Sequence, residues 1–296
     1  IMKILIIGGS GLIGYNLFQD LKNHFDEIEC TYLKNKILNK NFYQLDTTNH
    51  ENTIEFIKKS NPDIVIHTSA LAGVDLAEKN HHLADSITVN GTNNVIEGCK
   101  LTQSKIIYVS TTYVYGNKKE IFTENDEPNP TSYYGKTKYK AENLIKKSGL
   151  SYLILRTDQP YGWIEKWHKD NSVTRAIKTL KKKEVLKEVK DWSNVPTYVP
   201  DFTNATRILL ENSEVGIFNV TGSDYIDRYS WALTTAEIFS LEKKLIKSIT
   251  SKELDLPVIR DNTNVSNQKI LKKDGIDMKG IKQGLSHMLK LYKLNF

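Results

Sequence analysis

The sequence has few of the features that indicate a disulfide scaffold, a metal centre or a membrane protein. Only two of its 296 residues are cysteines, Cys30 and Cys99, and they form neither a disulfide framework nor a metal-ligand spacing. No apolar run approaches the roughly 20 residues that cross a bilayer, and the opening run, residues 4–7, is too short for a signal peptide. We therefore expect a protein of a reducing cytoplasm, with no membrane partner and no metal.

The sequence also lacks a convincing nucleic-acid-binding stretch, although its formal net charge is +6. The most basic segment, residues 178–190, carries six Lys and two Glu but no Arg and no aromatic residue. Interleaved with Leu and Val, this pattern predicts a solvated helix face rather than a nucleic-acid surface. The positive field can still steer anionic nucleotides toward a cleft. With 39% apolar and 26% charged residues, the composition is that of an ordinary globular enzyme.

The N-terminal segment has the pattern of a dinucleotide-binding turn. Residues 4–7 form an Ile-rich run that predicts a strand buried on both faces, as in a parallel sheet. Gly8, Gly11 and Gly14 follow, and residues 15–21 then have apolar side chains at helical spacing. Glycines permit the tight turn and the close approach of a phosphate, while the helix N-terminus offers free N–H groups. The order strand, glycine turn, helix therefore predicts a nucleotide site.

The next two predicted strands supply the remaining signals for the cofactor. The second, residues 27–33, ends without the Asp or Glu that usually binds the ribose 2′-hydroxyl of NAD. Lys34 and Lys36 follow it instead and suit the 2′-phosphate of NADP, so NADPH is the expected cofactor and NADH the alternative. The third, residues 42–45, is followed by Asp46 and Thr47, where Asp46 can serve the cofactor or cap the next helix.

A second group of residues has the composition of an acid–base site. A predicted strand over residues 106–109 runs into Ser110, Thr111 and Thr112, and about twenty residues later a helix carries Tyr134 and Lys138. Residues four apart share one helix face, and a Lys ammonium can stabilise the phenolate of a Tyr acid–base group. The adjacent Tyr133 is excluded by register, because Thr137 stands four residues after it.

These motifs together resemble the extended short-chain dehydrogenase/reductase family, and within it the dTDP-4-dehydrorhamnose reductases. The glycine spacing is G-x-x-G-x-x-G, and residues 62–70 resemble the family's P-D-x-V-I-x-x-A-A segment. Residues 72–78 are similar to the A-V-D-x-A-E signature of the reductases. The resemblance implies an α/β fold: a Rossmann-type, doubly wound parallel sheet with a smaller, discontinuous C-terminal substrate domain. It places the dinucleotide-binding domain at residues 1–158, with residues of about 194–222 returning to it, and the substrate domain at 159–193 and 223–296.

The resemblance also implies roles for individual residues. Thr111 is selected from the three hydroxyl residues because it stands three before the Val of the family's V-Y-G segment; it would bind the substrate carbonyl, with Tyr134 and Lys138 as its catalytic partners. The expected cofactor contacts are Gly8, Gly11, Leu12, Ile13, Gly14, Lys34, Asp46, Thr47, Thr68, Ser69, Ala70, Tyr134 and Lys138. The expected substrate contacts are Val74, Thr111, Thr112, Tyr134, Gln159, Tyr161 and Arg260. Thr112 stands where the resembled reductases carry Asp, and Gln159 where they carry Trp.

The expected reaction is the NADPH-dependent reduction of a 4-keto group on a nucleotide-activated 6-deoxysugar. Two alternatives stay open: a redox-neutral epimerase or dehydratase of nucleotide sugars with bound NAD, and a non-catalytic regulatory subunit that retains the reductase fold. The expected partner is a nucleotide sugar, and analogy with the family favours a homodimer. The sequence does not specify the sugar, the base or the stereochemistry.

Overall fold

The structure is a computed structural model that describes residues 2–117 and 120–294. Its strands, in chain order, are β1 (Lys3–Ile7), β2 (Glu27–Tyr32), β3 (Phe42–Gln44), β4 (Ile64–His67), β5 (Lys105–Thr111), β6 (Tyr152–Thr157), β7 (Leu186–Val189), β8 (Ser193–Asn194), β9 (Gly216–Asn219), β10 (Ile226–Asp227) and β11 (Ile246–Ile249). Its α-helices are α1 (Leu12–Leu21), α2 (His50–Ser60), α3 (Val74–Lys79), α4 (His81–Ala84), α5 (Gly91–Thr102), α6 (Tyr133–Lys147), α7 (Ser172–Lys181), α8 (Val199–Glu211), α9 (Arg228–Ile238), α10 (Gln268–Leu271) and α11 (Ile281–Leu294). A π-helical turn, Asp85–Asn90, joins α4 to α5.

Seven parallel strands form the central sheet, in the order β3-β2-β1-β4-β5-β6-β9. Strands β1, β4 and β5 are runs of Ile, Leu and Val that are buried almost throughout, because helices cover the sheet on both faces. The strand order reverses between β1 and β4, and ligands of open α/β sheets bind beside such a reversal, at the carboxyl ends of the strands. The predicted doubly wound α/β class is confirmed.

The two faces of the sheet are packed against different helices. On one face α1 and α8 bury Leu17, Phe18 and Phe202 against the strands. On the other, α5 and α6 bury their apolar side chains, among them Val95 and Ile145. Helix α6 therefore lies directly against the central strands, which fixes the position of the residues on its first turns.

The C-terminal half contributes both to the sheet and to a smaller unit beside it. Strand β9 pairs with β6, and α8 packs against α1, so this part of the chain returns to the sheet. The smaller unit contains α7, α9 and α11 with two short two-stranded sheets, β7 with β11 and β8 with β10. The cleft between the unit and the sheet opens at the carboxyl ends of the central strands, where the loop after β6 lies against the glycine turn: Trp167 Nε1 and His168 Nε2 both lie 3.0 Å from the Ser10 carbonyl.

Two local expectations from the sequence are wrong. The basic segment 178–190 is not one helix face: α7 ends at Lys181, and β7 follows as a strand whose partner, β11, stands about sixty residues later in the chain. Asp46 is not the cap of the following helix, because the Asn49 side chain accepts the Asn52 N–H that begins α2. Along the described ranges, none of the helices has the length and apolar character needed to span a bilayer.

Candidate active site

The glycine turn between β1 and α1 is built for close backbone contact. Gly8 has a φ of +85°, and a Cβ there would lie 2.6 Å from Thr68 Oγ1. A Cβ on Gly14 would lie 2.3 Å from the Gly8 carbonyl oxygen. Gly11 is the N-cap of α1, and within the described chain its helix has no capping side chain. The first N–H groups of α1 are therefore available to an anionic ligand.

A cavity of about 410 Å³ opens over this turn. Nine of the predicted cofactor contacts line it: Gly8, Gly11, Leu12, Ile13, Gly14, Thr47, Thr68, Ser69 and Ala70. Two others, Lys34 and Asp46, are not part of this lining. Asp46 borders an adjacent surface cavity, which shares Leu33 and Leu45 with the first, and its Oδ1 accepts hydrogen bonds from the Thr48 backbone and hydroxyl. Lys34 is an exposed loop residue.

The three predicted catalytic residues line a second cavity of about 320 Å³. Thr111 is the last residue of β5, whereas Tyr134 and Lys138 lie on the first two turns of α6, which Ser132 caps through the Gly135 N–H. The two cavities share a set of wall residues and are therefore continuous: Ile13, Thr68, Ala70, Leu71, Ala72 and Pro160. Residues far apart in sequence thus meet in one cleft, as the sequence predicts.

The Tyr134 phenol is protonated at neutral pH in this arrangement. Burial raises its pKa to about 12, and the nearby Thr111 hydroxyl opposes that rise only in part, although the side chain as a whole is half-exposed to the cavity. Tyr133, the next residue, faces elsewhere: its ring stacks on His81 and its hydroxyl donates to Asp85. The register argument from the sequence therefore selects the tyrosine that reaches the cavity.

Lys138 lies deeper in the cavity wall. Its Nζ donates a 2.6 Å hydrogen bond to the Val109 carbonyl and lies 4.1 Å from the centroid of the Tyr108 ring. Burial lowers its pKa to about 7, while the Glu142 carboxylate one turn further along α6 acts in the opposite direction. The charge of Lys138 is therefore sensitive to its surroundings near neutral pH.

A buried ion pair fixes α6 to the two strands beneath it. Arg156 on β6 donates from Nε and Nη2 to the two oxygens of Glu142, at 3.0 and 2.6 Å, and the Ser110 hydroxyl donates to the same carboxylate at 2.6 Å. Both charged side chains are essentially inaccessible. This network holds Lys138 and Tyr134 at a defined distance from the end of β5.

The predicted substrate contacts divide into two groups. Val74 and Gln159 line the second cavity together with Thr111 and Tyr134. Thr112 is completely buried and is not part of that lining, and Tyr161 lies in the core of the C-terminal unit, 5.4 Å from the Tyr198 and Trp231 rings.

Arg260, the third predicted contact of the C-terminal half, is already engaged within the chain. It pairs with Asp75 at 2.6 Å and packs over the Trp192 ring. The ion pair between Arg260 and Asp75 therefore connects the C-terminal segment to α3.

Among the cavity residues that sequence reasoning missed are Tyr113 and Asp158. Both are more than nine-tenths buried and both line the second cavity, and each has a buried polar atom without a hydrogen-bond partner within the described chain: the Tyr113 hydroxyl and Asp158 Oδ1. A signal was present for Asp158, since it directly follows the carboxyl end of a predicted central strand, where ligands bind.

A family model for the RmlD substrate binding domain matches residues 2–294, nearly the whole chain. The chain belongs to this family. A solved structure of dTDP-4-dehydrorhamnose reductase from Bacillus anthracis in complex with NADP is 25% identical, with a TM-score of 0.87 over 98% of this chain and 99% of that one. The reductase of Aggregatibacter actinomycetemcomitans is 29% identical over 78% of this chain and 77% of the relative. The rat methionine adenosyltransferase 2 subunit beta is 25% identical over 87% of this chain and 77% of the relative.

Proposed function

We propose that this member of the RmlD family reduces a 4-keto group on a nucleotide-activated 6-deoxysugar, with NADPH as the reductant and NADH as the alternative. One observation carries the proposal: Thr111, Tyr134 and Lys138 line a cavity continuous with the one over the glycine turn. A hydride donor and a proton donor must act on the same carbonyl, and a single continuous cleft provides for both. The reductase activity of the relatives named above supports the same reaction.

The residues of the first cavity fit a dinucleotide. Side chains at Gly8 and Gly14 would clash with the surrounding backbone and with Thr68, so the turn is shaped for backbone contact with a ligand. The free N–H groups at the start of α1 suit a pyrophosphate, and the small residues Ser69 and Ala70 leave room beside β4. When bound, NADPH supplies the hydride for carbonyl reduction.

The protein's own groups supply the proton and hold the carbonyl. Thr111 donates a hydrogen bond to the carbonyl oxygen, and Tyr134 transfers its phenolic proton to that oxygen as the alkoxide forms. Lys138, when charged, stabilises the resulting phenolate. The raised pKa of Tyr134 keeps the phenol protonated before reaction, which is the form that reduction requires. An epimerase or dehydratase starts instead by removing a proton from the sugar hydroxyl, and consumption of added NADPH distinguishes the reductase from this redox-neutral alternative.

The test is NADPH oxidation, followed by absorbance, with dTDP-, UDP- and GDP-linked 4-keto-6-deoxyhexoses. Tyr134→Phe should lower kcat by about 10²- to 10⁴-fold, the usual contribution of a general acid. Tyr133→Phe is the matched control, because its phenol contacts Asp85 outside the cavity, and it should retain activity. Absence of turnover with every sugar would refute the proposal in this form. A stable complex with a methionine adenosyltransferase catalytic subunit would then favour the regulatory role suggested by the similarity to subunit beta.

A further inference from the structure

Unpartnered polar atoms concentrate at the carboxyl ends of β5 and β6. In the described part of the chain, Asp158 Oδ1 and the Tyr113 hydroxyl lack hydrogen-bond partners and belong to residues that line the second cavity. Close to the Asp158 carboxyl, the Thr112 hydroxyl and the Asn194 amide are also buried, and within the described ranges neither has a partner with hydrogen-bond geometry. Buried polar groups are normally paired, so such a cluster beside a cavity indicates a polar ligand.

The position of Asp158 is well determined by the chain around it. Its Oδ2 accepts the Val195 N–H at 3.0 Å, and its own backbone N–H and carbonyl both pair with Thr197. The hydrogen bond to Oδ2 therefore fixes the orientation of the carboxyl group and, with it, the position of the unpaired Oδ1. Asp158 also lines the second cavity, from which a ligand group can approach this side chain.

The backbone next to Asp158 is strained, as is common where a side chain serves a ligand. Gln159 has a φ of +36°, a left-handed conformation that is costly for a residue with a Cβ. The Arg228 guanidinium holds this turn through a 2.9 Å hydrogen bond to Gln159 Oε1. The strain is thus maintained by a buried contact from α9.

The register of the sheet sets the distance between Asp158 and the proposed reaction centre. Thr111 pairs with Thr157 across β5 and β6, so Asp158 lies one residue beyond the partner of Thr111 on the neighbouring strand. Adjacent strands are about 4.8 Å apart. A sugar whose keto oxygen contacts Thr111 and Tyr134 therefore has the ring carbons next to its keto group close to this part of the wall.

The charge states of the two cavity residues complement each other. Burial raises the pKa of Asp158 to about 6, and Thr112, Asn194 and Arg228 favour its ionised form, so the carboxylate is an acceptor at neutral pH. Burial and the Asp158 charge raise the pKa of Tyr113, which is therefore a donor. A ligand hydroxyl can donate to the first group and accept from the second.

We propose that Asp158 is a specificity-determining residue whose Oδ1 accepts a hydrogen bond from the sugar hydroxyl next to the keto group, with Tyr113 donating to the same hydroxyl. The inference rests on the proposed reduction of a 4-keto-6-deoxysugar, in which that hydroxyl is on C3. A site built to pair a hydroxyl rejects an analogue without it strongly, because the buried carboxylate is then left unpaired.

The test compares Asp158→Asn with the wild type on two substrates: a nucleoside-diphospho-4-keto-6-deoxyhexose and its 3-deoxy analogue. Asparagine retains the shape and an acceptor for the Val195 N–H but presents a donor to the cavity. We expect the substitution to lower kcat/KM for the 3-hydroxy sugar by at least about tenfold and to change that for the analogue by less than about twofold. If the substitution lowers kcat/KM by the same factor for both sugars, so that the ratio of the two kcat/KM values is unchanged, the inference is overturned.

The matched control is Asp201→Asn, which also removes a buried carboxylate but on α8, where it pairs with Lys279. It should lower thermal stability and leave the ratio of the two sugars unchanged; a changed ratio would count against a specific role for Asp158. Calorimetric binding of both sugars in the presence of NADP⁺ separates the two proposals. Binding that depends on Asp158 without any wild-type turnover supports the inference and refutes the reductase. Turnover with a sugar preference that does not change in Asp158→Asn supports the reductase and overturns the role of Asp158. If the protein shows neither turnover nor binding that depends on Asp158, both proposals are overturned.

Discussion

Replacing Glu142 with Gln tests how the site is held together. Glu142 accepts two hydrogen bonds from Arg156 and one from Ser110, in a region closed to solvent. The substitution keeps the size of the side chain but leaves the Arg156 guanidinium buried without a counter-charge. The substitution therefore removes the counter-charge and one of the two acceptor oxygens of the network.

The expected loss of stability is large because the remaining charge cannot reach water. Breaking a buried pair by neutralising one partner costs about 3–5 kcal/mol, and for a chain of this size that lowers the melting temperature on the order of 10 °C. Replacing both partners by apolar residues, as in Glu142→Leu with Arg156→Met, should recover most of this loss, because no buried charge remains.

Thermal unfolding followed by circular dichroism measures the effect, and the chain offers a matched control. Arg207 and Glu211 form a similar Arg–Glu contact on α8, but Glu211 is 38% exposed. Glu211→Gln should therefore cost only about 0.3–0.5 kcal/mol. If Glu142→Gln destabilises the protein no more than Glu211→Gln, the buried pair does not anchor α6 and the reasoning fails.

The same variant has a second readout in the pH dependence of activity. The Glu142 carboxylate raises the pKa of Lys138, which burial lowers to about 7. Removing the carboxylate lowers this pKa further, so Lys138 loses its proton at a lower pH. The alkaline loss of NADPH oxidation should therefore begin at lower pH in Glu142→Gln than in the wild type; an unchanged profile would show that the charge of Lys138 does not limit the rate.

Three further substitutions test separate parts of the site. Gly8→Ala should abolish NADPH binding measured by fluorescence, because its Cβ meets Thr68, whereas Gly149→Ala, with nearly the same φ but open space, should cost only the backbone strain of about 1–2 kcal/mol and bind normally. The stability of Asp158→Asn relative to the wild type should rise between pH 4 and 7. The raised pKa of Asp158, about 6, means that the contribution of this group to wild-type stability is fully present below pH 4 and is lost as the pH rises through 6, by on the order of 3 kcal/mol, whereas Asn does not titrate. A flat difference between the two melting profiles over this range would contradict that sign. Lys34→Ala should raise KM for NADPH several-fold and leave that for NADH unchanged, and equal effects on both would show that Lys34 does not read the 2′-phosphate.

Much of the fold follows from local sequence patterns. Strands β1, β4 and β5 are continuous apolar runs, and the glycine turn and α1 follow at short range, so periodicity and turn chemistry suffice to predict them. The C-terminal half is less regular. Its short strands β7 and β11 pair across about sixty residues, and no local pattern distinguishes such a strand from the basic helix that precedes it.

The sequence predicts a site residue well when a single helix or strand determines its position. It predicts poorly when several helices, strands or loops determine that position together. Tyr134 and Lys138 follow from helical spacing alone. Tyr161 does not: its motif suggests a substrate contact, but α9 and α11 close over it and bury it completely. The place of Asp158 after a predicted central strand was a signal, but its unpaired oxygen becomes visible only in the folded chain, where Val195 and Thr197 pair with its other polar groups.

The polar groups around α6 and those at the cavity differ in a way that bears on function. The Glu142 carboxylate is saturated by Arg156 and Ser110, as a network that serves stability requires. Asp158, which directly follows β6, keeps one oxygen unpaired among the described residues at a comparable depth. A buried carboxylate with one unpaired oxygen lowers the gain from folding, because its desolvation is compensated only in part. A ligand hydroxyl provides the missing partner of Asp158. The two carboxylates therefore serve different purposes: Glu142 holds α6 in place, and Asp158 selects the sugar.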